Sequence, residues 1–129
     1  MRRSMKSTWL AGAAALLALA LASAAQAQDD VSIGTGAVLR GLDKINGDTL
    51  DVTIPSGSAA MIGKLSVTMW ECRYPQGDAA ADAFAFMTIT EPAKAPDPIF
   101  SGWMIGSSPA INALDHFRYD VWVLSCTTD

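Results

Sequence analysis

Ala37-Val38-Leu39-Arg40-Gly41-Leu42-Asp43, then Asn46-Gly47, then Thr49-Leu50-Asp51-Val52-Thr53-Ile54 read in chain order as strand, turn and strand. The second run alternates Leu50, Val52 and Ile54 with Thr49, Asp51 and Thr53, the period-2 pattern of a strand with one buried face. Asn-Gly between two such runs is the strongest short hairpin signal and predicts a type I′ turn. Working outward, Pro55-Ser56-Gly57 breaks the chain and Lys64 to Tyr74 gives a longer strand. Pro75 to Asp82 is a polar connection, and Ala83 to Thr90 is again strand-like. Glu91 to Pro98 carries Pro92, Pro96 and Pro98, which cannot donate ladder hydrogen bonds, and is predicted as an extended loop. Phe100 to Ile105 and Tyr119 to Cys126 supply the last two strands. Between them Ser108-Pro109 offers an N-cap and a first-turn proline, so a short helical turn through Leu114 is expected. The fold class is mainly β, a single small antiparallel sandwich or barrel-like domain.

Alternation also assigns faces. Cys72 falls with Trp70 and Thr68, and Cys126 with Leu124 and Trp122, so a bond between the cysteines would gather two tryptophans into a core cluster. The opposite faces carry Leu65, Val67 and Met69 on one strand and Val121 and Val123 on the other. Both strands therefore look apolar on both sides, and a second sheet with a covering loop or helix is the ordinary remedy. An exposed apolar groove for a lipid or partner is the alternative.

The N-terminus is a leader rather than part of the fold. Arg2, Arg3 and Lys6 form a positive region, Leu10 to Leu21 an Ala/Leu run, and Ala25-Gln26-Ala27 a small-residue cleavage site, so residues 1–27 are expected to be a signal peptide cut after Ala27. The apolar run is shorter than the roughly 20 residues that span a bilayer, which argues against a retained transmembrane anchor. Residues 28–36 follow as a flexible lead-in to one domain over 37–129. Three of the nine Lys and Arg lie in the leader and all 13 Asp and Glu lie after it, leaving a mature net charge of −7. Such a chain lacks the basic surface that nucleic acid or anionic headgroups require. Export to an oxidising periplasm makes the two cysteines, Cys72 and Cys126, a disulfide; a redox pair is disfavoured because there is no Cys-x-x-Cys motif.

The C-terminal third carries a longer signature. Phe100-Ser101-Gly102-Trp103-Met104, Ser107-Ser108-Pro109-Ala110, Asn112-Ala113-Leu114-Asp115-His116 and Tyr119-Asp120-Val121-Trp122-Val123-Leu124-Ser125-Cys126, with Leu42-Asp43-Lys44 upstream, resemble the Gram-negative bacterial family DUF2155 over most of residues 37–126. The resemblance implies a small envelope protein with a signal sequence and two cysteines, and no activity.

Read as chemistry, Ser107 or Ser108, His116 and Asp115 or Asp120 are the ingredients of a nucleophile, a base and an orienting acid. There is no Gly-x-Ser-x-Gly elbow, and Ser108 is already explained as a cap. One histidine and two bonded cysteines do not make an ordinary zinc site, and Asp43, Asn46 and Asp48 do not follow calcium-loop spacing; no metal or cofactor is expected. Glu71 and Glu91 are unremarkable as a glycosidase pair. Two functions stay open. The favoured one is a non-catalytic envelope protein that binds a partner protein, a lipid or a glycan through Trp103, Met104 and Ile105 or a second apolar strand face. The alternative is a small serine-type hydrolase using Ser107 or Ser108 with His116.

Overall fold

Two unpaired residues decide how the strands face. The computed structural model describes residues 30–129, so the leader and its cleavage site lie outside the described residues. Eight strands run in order: β1 (Val31–Ile33), β2 (Gly36–Asp43), β3 (Thr49–Pro55), β4 (Ser58–Ile62), β5 (Leu65–Pro75), β6 (Phe84–Glu91), β7 (Ala95–Ile105) and β8 (Tyr119–Thr127). Against β6, Met69 pairs with Met87 and Glu71 with Phe86, which leaves Trp70 as the extra residue of a β-bulge. Against β2, Ser125 pairs with Val38 and Val123 with Leu39, so Leu124 is the extra residue there. Each bulge resets the alternation by one. Cys72 therefore shares the buried face of Leu65, Val67 and Met69, and Cys126 that of Val121 and Val123. The expected core cluster of Trp70 and Trp122 is corrected: Trp70 and Leu124 are exposed, Trp122 is half-buried outside the core, and the faces that had seemed to need a separate cover are the core itself.

All pairing is antiparallel. One sheet has the order β1-β5-β6-β7, with β4 on the same edge of β5 as β1; the other is β3-β2-β8. Their inner faces pack Leu65, Val67, Met69, Ala85, Met87, Ile89 and Met104 against Ala37, Leu39, Ile54, Val121 and Val123, with Leu114 and Tyr119 closing the ends. No strand pair joins the sheets by a ladder, but the Cys72–Cys126 disulfide does, with an S–S length of 2.04 Å and Cα atoms 5.6 Å apart. Beside it the chain crosses from β1 to β2: Gly34 N–H donates to Cys72 O at 2.7 Å and Thr35 N–H to Thr127 O at 2.8 Å. A Cβ on Gly34 would stand 3.0 Å from Cys126 Cβ and 2.7 Å from Thr127 O, so only glycine lets the backbone pass.

Several elements differ from expectation. Residues 28–36, read as a flexible lead-in, supply β1, which pairs Val31, Ser32 and Ile33 with Pro75, Tyr74 and Arg73. β4 is an additional strand; it turns into β5 through Gly63-Lys64, with Gly63 at φ +57° in the first loop position, where glycine relieves the strain. The Asn46-Gly47 hairpin is present, but its loop has five residues and only Gly47 has positive φ, so it is not type I′. Asp43 Oδ1 accepts from Ile45 N–H and Asn46 Oδ1 from Asp48 N–H, and these side-chain turns replace the tight one. Pro96 and Pro98 lie inside β7 rather than in a loop; β7 is an edge strand, where a missing donor costs no ladder bond. The helical turn after Ser108 reduces to one Ile111 N–H to Ser108 O bond, and no helix occurs among the described residues.

Candidate functional site

The serine and histidine of the hydrolase reading are each occupied elsewhere. Ser107 Oγ donates to Asp82 Oδ2 at 2.6 Å and Ser107 N–H to Asp82 Oδ1 at 2.9 Å, which pins the start of the 106–118 loop to the entry of β6. Burial pushes the Asp82 carboxyl up, but the Ser107 hydroxyl and the N–H groups of Ala83 and Ser107 outweigh it and hold it below the usual carboxylate range. At the other end of the loop His116 Nδ1 accepts from the N–H groups of Arg118 and Tyr119, at 3.0 and 3.1 Å. The ring proton therefore sits on Nε2 and is donated to Glu91 Oε1 at 2.7 Å. With both ring nitrogens engaged and the Ser107 hydroxyl given to a carboxylate, the triad is not assembled. Ser108 donates its N–H to Ile105 O, and Asp120 is half-buried on β8 opposite Leu42.

The His116–Glu91 pair is instead a clamp. Both side chains are more than nine-tenths buried, Lys94 lies 3.3 Å from the second Glu91 oxygen, and the imidazole stacks on Phe117 at 4.8 Å. Arg118 reaches Asp43 Oδ2 at 3.0 Å, and Lys44 Nζ donates to His116 O, so the loop is tied to β2 as well as to β6. The bond from His116, with help from Lys94, holds the Glu91 carboxyl below its ordinary value despite burial. A depressed carboxylate contributes stability above its unfolded pKa and loses that contribution as pH falls through the folded one. Thermal unfolding between pH 6 and pH 3 is accordingly expected to show a fall in Tm beginning below the unfolded glutamate value of about 4.3. The fall should be shallower in Glu91→Gln; equal slopes would show that the pair adds no acid sensitivity. Nothing in the spacing of Glu91 and His116 announced this contact across 25 residues.

The proposed contact residues Trp103, Met104 and Ile105 divide between two sides of β7. Met104 is 2% exposed and belongs to the core, a correction that follows from strand alternation; Trp103 points outward and Ile105 is half-buried beside it. Trp103 belongs to a wider surface on the outer side of the five-stranded sheet. Cross-strand register places Glu71, Phe86 and Trp103 in one row, Arg73, Phe84 and Ile105 in the next, and Thr68, Thr88 and Ser101 on the other flank. Ile33 extends the second row through its pairing with Arg73. The bulge aims Trp70 onto this face, 52% exposed, where its Nε1–H donates to Thr88 Oγ1 at 3.1 Å.

These side chains hold one another in place. Trp103 and Phe86 meet at a tilt of 58° with centroids 5.3 Å apart, and the Arg73 guanidinium lies 5.1 Å from the Trp103 ring centre. Glu71 accepts both Arg73 Nε–H and Nη2–H, at 3.0 and 3.1 Å, and its carboxylate raises the guanidinium pKa above its ordinary value. An open groove of about 520 Å³ lined by Asp30, Val31, Pro75, Gln76 and Phe84 continues the face at its β1 end. Glu71 is thus an outer-face residue and Glu91 a buried one, so the two do not form a pair of catalytic carboxylates. Among the described residues no three His, Cys, Asp or Glu side chains cluster to hold a metal ion, and no helix is long and apolar enough to cross a membrane.

Comparison with known proteins places the chain in a family. The model of a family described as an uncharacterized protein conserved in bacteria, DUF2155, matches residues 37–126, the span from β2 to the second cysteine. The chain belongs to this family. An uncharacterized protein of Rickettsia prowazekii (strain Madrid E) is 26% identical over 87 residues, covering 66% of this chain and 56% of that protein. The chain therefore spans little more than half the length of that relative. No solved structure matches the chain. The family match includes Trp70, Glu71, Arg73, Phe86 and Trp103, and leaves out β1 and with it Ile33.

Proposed function

We propose that this DUF2155 protein is exported to the cell envelope and acts there by binding rather than by catalysis, with the outer face of the five-stranded sheet as its contact surface. One observation carries the reading. Trp70 and Trp103 are exposed, yet each is fixed in orientation, by the bond to Thr88 in one case and by Phe86 and the Glu71–Arg73 pair in the other. Exposed aromatics already held in place lose little side-chain entropy on meeting a ligand, which is what a binding face needs. The leader sequence and the Cys72–Cys126 bond support an oxidising compartment.

The test uses residues 28–129 as an immobilised bait against envelope extract, with a Trp70→Ala/Trp103→Ala double variant and a Trp122→Ala control. Trp122 lies on the other sheet, opposite Arg40. Envelope components, protein or polysaccharide, that are captured by the parent and the control should be lost from the double variant. Identical capture by all three would overturn the assignment of the face. A tagged full chain should accumulate in the periplasmic fraction shortened to begin at Gln28; recovery of the uncut chain from the cytoplasm would overturn export.

A further inference from the structure

We infer that Asn46 is the site of spontaneous deamidation in this chain and that the folded turn between β2 and β3 holds the reaction in check, an inference independent of the binding reading above. Asn46 is exposed and precedes Gly47, and glycine presents the least hindered backbone nitrogen to the side-chain amide of the residue before it. In the reaction the Gly47 nitrogen gives its proton to solvent base and attacks Asn46 Cγ. The tetrahedral carbon then expels the side-chain nitrogen, which takes up a proton and leaves as ammonia. Water opens the resulting succinimide at either carbonyl, leaving an aspartyl or an isoaspartyl residue, and nothing besides water is consumed. The other asparagine after the leader, Asn112, precedes Ala113 and donates its Nδ2–H to Trp103 O at 2.9 Å, so a crowding methyl and a committed amide both disfavour reaction there.

The turn prepares one half of this reaction and withholds the other. Asn46 Oδ1 accepts from Asp48 N–H at 2.9 Å, a bond that polarises the side-chain carbonyl and strengthens as negative charge gathers on its oxygen. The nucleophile is locked instead: Gly47 N–H donates to Asp43 O at 2.8 Å, so its proton cannot pass to solvent base until that bond opens. Asp43 is itself held on several sides. Its N–H donates to Asp48 O at 2.8 Å, and its carboxylate accepts from Ile45 N–H at 3.0 Å and from Arg118 Nε–H and Nη2–H at 3.2 and 3.0 Å. Lys44 N–H donates to Arg118 O at 2.7 Å, so the far end of the 106–118 loop clasps the turn through side chain and backbone alike. Local opening of the turn therefore sets the rate at Asn46. Deamidation places a new carboxylate between Asp43 and Asp48, where like charges repel, and the isoaspartyl form adds a backbone atom to a short loop, so the modified turn weakens the clasp that restrained it.

The test follows deamidation and isoaspartate at each asparagine by peptide mapping of residues 28–129, aged in mildly alkaline buffer either native or reduced and unfolded in guanidinium. Asn46 is expected to react at least tenfold faster in the unfolded chain than in the native one, and ahead of Asn112 once unfolded. Gly47→Ala should slow the unfolded reaction several-fold, as attack by that backbone nitrogen requires. In native Arg118→Ala, with Tm showing that the fold is retained, the rate at Asn46 and hydrogen exchange of the Gly47 amide should rise together, at least threefold over the parent. Equal rates at Asn46 in native and unfolded parent overturn the protection, and no preference for Asn46 over Asn112 in the unfolded chain overturns the site. An unchanged rate at Asn46 in folded Arg118→Ala overturns the clasp. Should that variant not fold, the parent decides: Gly47 exchange as fast as in the unfolded chain would mean that its bond to Asp43 is no lock.

Discussion

Mature protein carrying Cys72→Ser and Cys126→Ser is expected to lose about 4 kcal/mol of stability, the unfolded-chain entropy that a bond closing 54 residues removes. For a domain near 100 residues that corresponds to a fall in Tm on the order of 20 °C. Urea unfolding of the parent, the double variant and the reduced parent is the appropriate measurement, because a change in slope would separate a looser denatured state from a weaker native one. The structural reason for so large an effect is that β5 and β8 belong to different sheets with no ladder between them. Both sulfurs sit in the core, so the serines would also bury hydroxyls among Met69, Val123 and their neighbours. A loss below about 1 kcal/mol would mean that inter-sheet packing alone holds the sandwich, contrary to the entropic account.

The hairpin of β2 and β3 and the positions of β5, β6 and β8 were legible because alternation and turn residues coincide there. Facing was not, and the bulges explain why. Counting by twos from Met69 puts Glu71 in the core and Cys72 outside; skipping Trp70 restores Met69 and Cys72 to one side. The same holds from Val123 across Leu124 to Cys126. A single added residue is invisible to a period-2 reading, yet it flips every later side chain. β4 escaped because Ser58-Ala59-Ala60 has little strand preference of its own, and its pairing with β5 decides its conformation. The prolines of β7 argued correctly against a central strand but said nothing against an edge.

For the site, sequence indicated Trp103 and its neighbourhood but not its companions. Trp70, Phe86 and Trp103 lie on three strands and meet only through cross-strand register, while Glu71 and Arg73 look like ordinary alternating surface charges. His116 attracted a catalytic reading because it is the only histidine and has serines and aspartates nearby in sequence. Its actual partners are Glu91 and two backbone amides, a set fixed by how the 106–118 loop folds back on β6. Pattern reading finds residue types capable of chemistry; it does not find the hydrogen bonds that commit them to structure.

Neighbouring substitutions in β7 should separate the two sides of that strand. Met104→Ala removes a side chain that is 2% exposed and packed among the inner residues of both sheets, and is expected to cost about 2–5 kcal/mol, the range for deleting a buried methionine and leaving part of its volume empty. Trp103→Ala removes a larger side chain but from the outer face, where it loses the Phe86 contact and the Arg73 stack while solvent fills the space; about 1 kcal/mol is expected. Stability should thus fall more for the smaller residue, whereas ligand capture should fall only for the larger. Thermal and urea unfolding of the two variants, paired with the envelope-capture experiment, reads both quantities on the same samples. The opposite order of stability would mean that β7 is displaced by one residue against β6, with Trp103 inside and Met104 outside. That displacement would dismantle the row of Glu71, Phe86 and Trp103, so this pair of variants tests the register on which the proposed binding face depends.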